Sequence, residues 1–134
     1  MNVGTDELGT AILTKNSISF ERVEMLPNGR GMSGVYHNTY FINVYAPSGT
    51  NKRKERNDFY QNEIPYLFRT LPSQYILGGD FNCVLNKDDT TGTFQQSSTL
   101  QELVTNLNMK DAWINCHNNI QYGTLSSPVQ LHLE

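Results

Sequence analysis

Apolar and polar residues alternate through the first third of the chain, and the apolar spacing changes to three and four further on. Residues 10–14 (Thr-Ala-Ile-Leu-Thr) read as a strand, and Ile18, Phe20 and Val23 mark a second that reaches Met25 or Leu26. Pro27-Asn28-Gly29-Arg30-Gly31 is turn chemistry, because Asn-Gly favours positive φ. Met32 to Tyr36 then return as a third strand, and His37-Asn38 makes a tight connection into a strand at 39–46. Such a meander is antiparallel sheet.

The next element is helical. Phe59, Glu63, Ile64, Leu67, Phe68 and Leu71 recur at helical spacing over 52–71, with Tyr60 adjoining. Pro65 removes a donor and crowds the preceding turn, which predicts a kink or break near Asn62–Ile64. A strand at 74–78 follows, then an Asp-Phe-Asn corner and a polar loop from Asn86 to Gln96. Leu100, Leu103, Val104 and Leu107 predict a helix over 98–108, with Ser98 and Gln101 as a capping box. Asp111-Ala112-Trp113-Ile114 reads as a packed corner, and His37 and His117 as turn and loop residues.

Composition narrows the class. A chain of 134 residues with 37% hydrophobic residues supports one core. It contains no apolar run near the ~18 residues that a membrane helix needs, and Met1 to Asp6 show neither a basic region nor an apolar signal core. Cys83 and Cys116 lack metal-type spacing and read as reduced thiols of an intracellular protein. The net charge of −3 argues against a broad positive footprint for duplex DNA. The charge run Lys52-Arg53-Lys54-Glu55-Arg56 either lies in water or faces phosphate.

Two stretches carry candidate chemistry. In Tyr75-Ile76-Leu77-Gly78-Gly79-Asp80-Phe81-Asn82, residues two apart project to one side of an extended chain. If the strand persists, Asp80 and Asn82 sit side by side at a sheet rim while Phe81 anchors in the core. The plainer alternative is a strand running into an Asx turn. In Thr39-Tyr40-Phe41-Ile42-Asn43-Val44-Tyr45-Ala46-Pro47-Ser48-Gly49, Asn43 and Tyr45 share one face of a strand that ends in a proline–glycine break. A phenol at a strand end can donate to a negative oxygen. Asn43 also fits a satisfied core amide, and Tyr45 a packing aromatic.

Taken in order, Asn-Val-Tyr-Ala-Pro at 43–47 and Gly-Gly-Asp-Phe-Asn at 78–82 resemble two central motifs of the endonuclease/exonuclease/phosphatase superfamily. The likeness is strongest to the apurinic-endonuclease-like domain of non-LTR (LINE-type) retrotransposons. Leu26-Pro27-Asn28-Gly29-Arg30-Gly31, Ser48-Gly49-Thr50-Asn51-Lys52-Arg53 and Cys83-Val84-Leu85 also look like that branch. The resemblance runs from about Gly9 to about Asn119, and 120–134 diverge.

The resemblance implies an α/β fold in four layers, a partial copy of an α/β/β/α sandwich with two mixed sheets between outer helices. It implies a magnesium-dependent endonuclease that nicks target DNA in the nucleus, beside a reverse-transcriptase region of a parent polyprotein. Asp80 would orient or deprotonate the attacking water, Asn82 would bond a phosphate oxygen, and Tyr45 would stabilise the scissile phosphate. Asn43 would support the strand behind Tyr45. Ser48, standing where many relatives carry asparagine, would contact DNA with shorter reach, and Lys52 and Arg53 would meet its backbone. Neither the family's metal-ligating glutamate nor its closing Ser-Asp-His has a match. Glu7 and Asp6 lack a surrounding strand pattern, and His132 lies between leucines as a strand-face or tail residue. Tyr122 and Thr124 echo the strand before the family's last motifs. The expectation is therefore a domain incomplete at both ends and a weak or inactive nuclease, with exposed sheet edges. The alternatives are a remnant that binds nucleic acid or protein without catalysis, and a superfamily phosphatase acting on a small phosphodiester or phosphoinositide.

Overall fold

The computed structural model describes residues 9–68, 74–85, 96–119 and 130–133. Six strands form one mixed sheet: β1 (Glu21–Met25), β2 (Gly31–Tyr36), β3 (Thr39–Tyr45), β4 (Gln74–Asp80), β5 (Lys110–Asp111) and β6 (Gln130–Leu133). Their spatial order is β1-β2-β3-β4-β6-β5. The meander β1–β2–β3 is antiparallel, as its turn chemistry requires, and β4 joins β3 in parallel. Gly29 at φ 70° closes the first turn. His37 and Asn38, at φ 46° and 61°, form the two-residue left-handed turn of the second hairpin.

One face of the sheet is the core. Tyr40, Ile42 and Val44 of β3, Val35 of β2 and Leu77 of β4 are buried there against Phe59, Tyr60, Ile64, Leu67 and Phe68. Leu100, Leu103 and Met109 complete it. These large apolar side chains, withdrawn from water at about 25 cal/mol per Å², are the main source of stability.

The expected helix over 52–71 is four short segments: a 3₁₀ turn Thr50–Lys52, α1 (Arg53–Asp58), a π turn Phe59–Glu63 and a second 3₁₀ turn Ile64–Phe68. Pro65 is the reason. It has no N–H, and its ring crowds the carbonyl four residues back. The chain widens ahead of it, so that the Ile64 N–H bonds the Phe59 carbonyl five residues back. The predicted break falls where the π turn ends. Residues 69–73 lie outside the described residues, Leu71 among them.

Other expectations need correction. Residues 10–14 form no strand; they cross the second face of the sheet. Thr10 bonds the Gly29 carbonyl and Ala11 accepts from the Asn43 amide, which leaves no ladder to define a strand. Ile18 and Phe20 precede β1. The N-cap of α2 (Ser98–Asn106) is Ser97, whose hydroxyl accepts from the Leu100 N–H. The box is out of register by one residue, and Gln101 bonds the Leu85 carbonyl instead. Asn108, at φ 50°, ends α2 as a left-handed cap. Asp111 caps α3 (Ala112–Asn119) through the Ile114 N–H, so the predicted corner is a strand-to-helix junction. His117 lies in that helix and not in a loop. Gln130–Leu133 form a parallel strand against β4, so part of the divergent tail belongs to the sheet. Asp6, Glu7, Tyr122, Thr124 and nearly all of the 86–96 loop lie outside the described residues.

Candidate functional site

The register of β3 and β4 builds the site. Asn43 pairs with Gly78, Val44 with Gly79 and Tyr45 with Asp80. In a parallel pair, in-register residues share a face, so Asn43, Tyr45 and Asp80 lie together on the side opposite Ile42, Val44 and Leu77. Tyr45 and Asp80 are the last residues of their strands, at the same rim. Gly79 makes the close pairing possible. At φ 131°, a Cβ there would stand 1.9 Å from the Val44 carbonyl oxygen. Gly78 is open on its side, and its missing side chain leaves room over the second face.

The corner after Asp80 is the plainer of the two sequence alternatives, a strand running into an Asx turn, and the side-by-side placement of Asp80 and Asn82 on a persisting strand is not formed. The strand ends at Asp80, and Asn82 turns to φ 49°. Asp80 Oδ1 accepts the Asn82 N–H at 2.9 Å, an Asx turn. The Asn82 side chain is therefore not the next rung of a strand. Its Nδ2 donates to the Ala46 carbonyl at 2.8 Å, while the Ala46 N–H donates to the Asp80 carbonyl at 2.8 Å. These bonds tie the Ala46-Pro47 turn to the corner. Phe81 is fully buried, as its position predicts, and its carbonyl accepts from the Tyr60 hydroxyl. The corner is thus fixed from the core side. Asp80 keeps one carboxylate oxygen, and Asn82 one amide hydrogen, for outside partners.

The other candidates separate into two groups. The Asn43 Nδ2 donates to the Ala11 carbonyl at 2.9 Å, which fits the supporting role. Ser48 is exposed and Lys52 pairs with Glu55 at 2.6 Å. Arg53 is exposed on α1 and faces a cleft rather than the corner. Arg56, last in the charge run, is only 3% exposed and donates to the Pro47 and Gly49 carbonyls at 2.9 and 3.0 Å. Its guanidinium reaches the two carbonyls of a tight turn, so this member of the run is not on a solvated face.

Arg30 is a functional candidate that periodicity did not reveal. Its Nη1 donates to the Tyr45 carbonyl at 3.3 Å, and its guanidinium lies 5.4 Å from the centre of the Tyr45 ring. It therefore brings a cation to the Tyr45–Asp80 rim. The available signal was the Asn28-Gly29 turn, whose reversal pairs Gly31 with Val44 and returns Arg30 beside the end of β3.

Behind the corner, burial pushes the Tyr60 phenol far above its ordinary value, with the Cys83 thiol 3.3 Å away adding to the effect. Burial likewise pushes the Cys83 thiol up, against hydrogen bonding from Tyr60 and the positive charge of Arg56. Both groups are neutral at pH 7. Among the described residues no three His, Cys, Asp or Glu side chains converge as a metal cage. One carboxylate with neutral amides and a phenol falls short of the oxygen set that a hard divalent cation takes.

No family model matches the chain, and no curated protein matches it.

Proposed function

We propose that this chain is part of a phosphodiesterase domain of the DNA-endonuclease kind, in the endonuclease/exonuclease/phosphatase superfamily and its LINE-type branch. The observation that carries the reading is the pairing of Tyr45 with Asp80 at one strand rim, with Asn43 behind and Asn82 closing the corner. Asp80 can accept a proton from, or orient, an attacking water. The Tyr45 hydroxyl, the remaining Asn82 hydrogen and the Arg30 guanidinium supply donors where charge develops on a phosphate. In the family a divalent cation, usually magnesium, adds charge neutralisation at this point. The described side chains do not hold one alone, so turnover by this chain is weak.

The four-layer sandwich belongs to the same proposal. It is supported by the second face of the sheet, where Phe41, Ile76 and Gly78 border an open groove of about 330 Å³ under Ala11–Leu13. Ile76 is 36% exposed there, in a position that a second sheet would cover.

The test is nicking of supercoiled plasmid with magnesium, together with polarisation of a labelled duplex at low salt. The expected result is measurable binding and slow nicking that falls to background in Asp80→Asn, since a positioned acid–base group is worth about 10²–10⁴ in rate. A duplex neither bound nor nicked, or nicking indifferent to Asp80→Asn, overturns the reading. A second reading, binding without cleavage, is favoured by the single carboxylate of the corner. It predicts salt-sensitive binding with no nicking in the parent chain.

A further inference from the structure

Asn28-Gly29 is the single asparagine–glycine step in the sequence, and Asn28 stands exposed at the tip of the β1–β2 hairpin. Such a step carries its own chemistry. The Gly29 nitrogen can attack the Asn28 amide carbon, and with no Cβ on Gly29 little screens the approach. A bond forms between Gly29 N and Asn28 Cγ, and the Cγ–Nδ2 bond breaks. Solvent takes the Gly29 proton and returns one to Nδ2, which leaves as ammonia. Water then opens the five-membered succinimide ring at either carbonyl, giving aspartate or isoaspartate. No oxidant or reductant takes part.

The fold engages every participant in that reaction. The Gly29 N–H donates to the Leu26 carbonyl at 2.9 Å across the turn, so the attacking nitrogen is occupied. Asn28 Oδ1 accepts the Arg30 N–H at 3.0 Å. Asn28 Nδ2, the leaving nitrogen, donates to Glu63 Oε2. The first two bonds are local to the turn. The third comes from the last residue of the π turn Phe59–Glu63, 35 positions along the chain. It is the charge-assisted member of the three, and such bonds are the stronger class. Phe59 and Tyr60 of the same segment are buried in the core, so packing delivers the Glu63 carboxylate to Asn28.

We infer that Asn28 is a site of spontaneous deamidation, held in check while the Phe59–Glu63 segment is docked beside the hairpin and released when that contact opens. Ring closure needs the three bonds to part, so it proceeds from a locally opened turn. Conversion does not reverse itself. An aspartate at 28 has no amide hydrogen to give Glu63 and sets a second carboxylate against it. An isoaspartate adds a methylene to the backbone of the turn. Arg30 is two residues on, and its carbonyl accepts the Tyr45 N–H at 2.8 Å, so the altered turn adjoins the end of β3. Nothing in this chemistry requires a catalytic corner.

The full chain is held in mildly alkaline buffer, and the tryptic peptide Val23–Arg30, in which Asn28 is the sole asparagine, is followed by mass spectrometry. The native chain is expected to convert at least roughly tenfold more slowly than the same chain unfolded in urea, since three hydrogen bonds must part first. That comparison needs no variant. Glu63→Ala is expected to speed native conversion roughly tenfold, the worth of one charge-assisted bond. Glu63→Gln keeps an acceptor and is expected to speed it less. Asn16, an exposed asparagine followed by serine, should keep its native rate in both variants. Native conversion as fast as in urea, or a native rate indifferent to Glu63→Ala, overturns the inference. Equal acceleration of Asn16 and Asn28 in Glu63→Ala reports a general loosening and overturns the part given to Glu63.

Discussion

The two glycines before Asp80 are chemically identical and differ in what surrounds them, so replacing each by alanine isolates the strand contact on which the corner depends. In Gly79→Ala the new Cβ would meet the Val44 carbonyl oxygen at 1.9 Å and the Val44 carbonyl carbon and nitrogen at 2.8 Å. All three are backbone atoms, so no rotamer change relieves the overlap. The φ of 131° adds strain of about 1–3 kcal/mol for a residue with a side chain. Strands lie about 4.7–4.9 Å apart, and separating these two by the ångström or more required would break hydrogen bonds as well. A total above about 4 kcal/mol places the variant among exceptional single substitutions. Gly78→Ala meets nothing within 4 Å and needs no positive φ. It should be neutral or stabilising by about 0.4–1 kcal/mol, through the reduced entropy of the unfolded chain. Urea unfolding followed by far-ultraviolet circular dichroism measures both. A difference between the neighbours below about 1 kcal/mol would refute the close approach of β4 to β3, for which the strain at Gly79 alone should suffice.

Other substitutions test the parts separately. Arg56→Ala should destabilise by about 1–3 kcal/mol, because it leaves the Pro47 carbonyl without its donor while the Gly49 carbonyl keeps the Lys52 N–H, whereas Lys54→Ala on the exposed side of the run should be near neutral in the same titration. Ser97→Ala should cost about 1 kcal/mol and Ser98→Ala far less, because only Ser97 caps α2; thermal melts distinguish the two. Tyr60→Phe removes the bond to the Phe81 carbonyl, at about 1 kcal/mol near neutral pH. Its pH profile is the sharper test. Burial raises both Tyr60 and Cys83, so the folded chain keeps protons that the unfolded chain releases above about pH 8.5 for the thiol and about pH 10 for the phenol. Stability is therefore complete below those values and falls as pH rises through them. Tyr60→Phe should flatten the fall above pH 10, and an unchanged slope there would contradict the burial of the phenol.

Much of the sheet was legible because its determinants are local. Asn28-Gly29 and His37-Asn38 specify turns by φ alone, and the alternation in 39–45 assigns faces without tertiary information. Pro65 announced a break, but a proline can be accommodated by a widened or a tightened turn, and the local sequence does not distinguish them; the widened form occurs here, with Phe59, Tyr60 and Ile64 buried. The segment 10–14 was misread because its apolar residues follow strand spacing, yet a strand also needs a neighbour's backbone, and Ala11 meets a side-chain amide instead. Strand parity placed Asn43 with Tyr45, but Tyr45 and Asp80 came together only through the family resemblance, since the register between β3 and β4 is written in neither strand. Arg30 and Arg56 escaped because a flexible side chain's destination depends on which carbonyls the fold leaves within reach. The cap of α2 was missed by one residue, since Ser97 and Ser98 are equally good formers and only the Leu100 N–H chooses between them.

The candidate site depends on the pairing of Tyr45 with Asp80. A slip of one residue between β3 and β4 would reverse every side chain of one strand relative to the other. Nuclear Overhauser contacts in ¹⁵N,¹³C-labelled protein read that register directly. The structure predicts contacts between Tyr45 and Asp80, and between Asn43 and Gly78, with an Ala46 amide protected by its bond to the Asp80 carbonyl. Contacts pairing Tyr45 with Gly79 or Phe81, with the Ala46 amide exchanging freely, would contradict it.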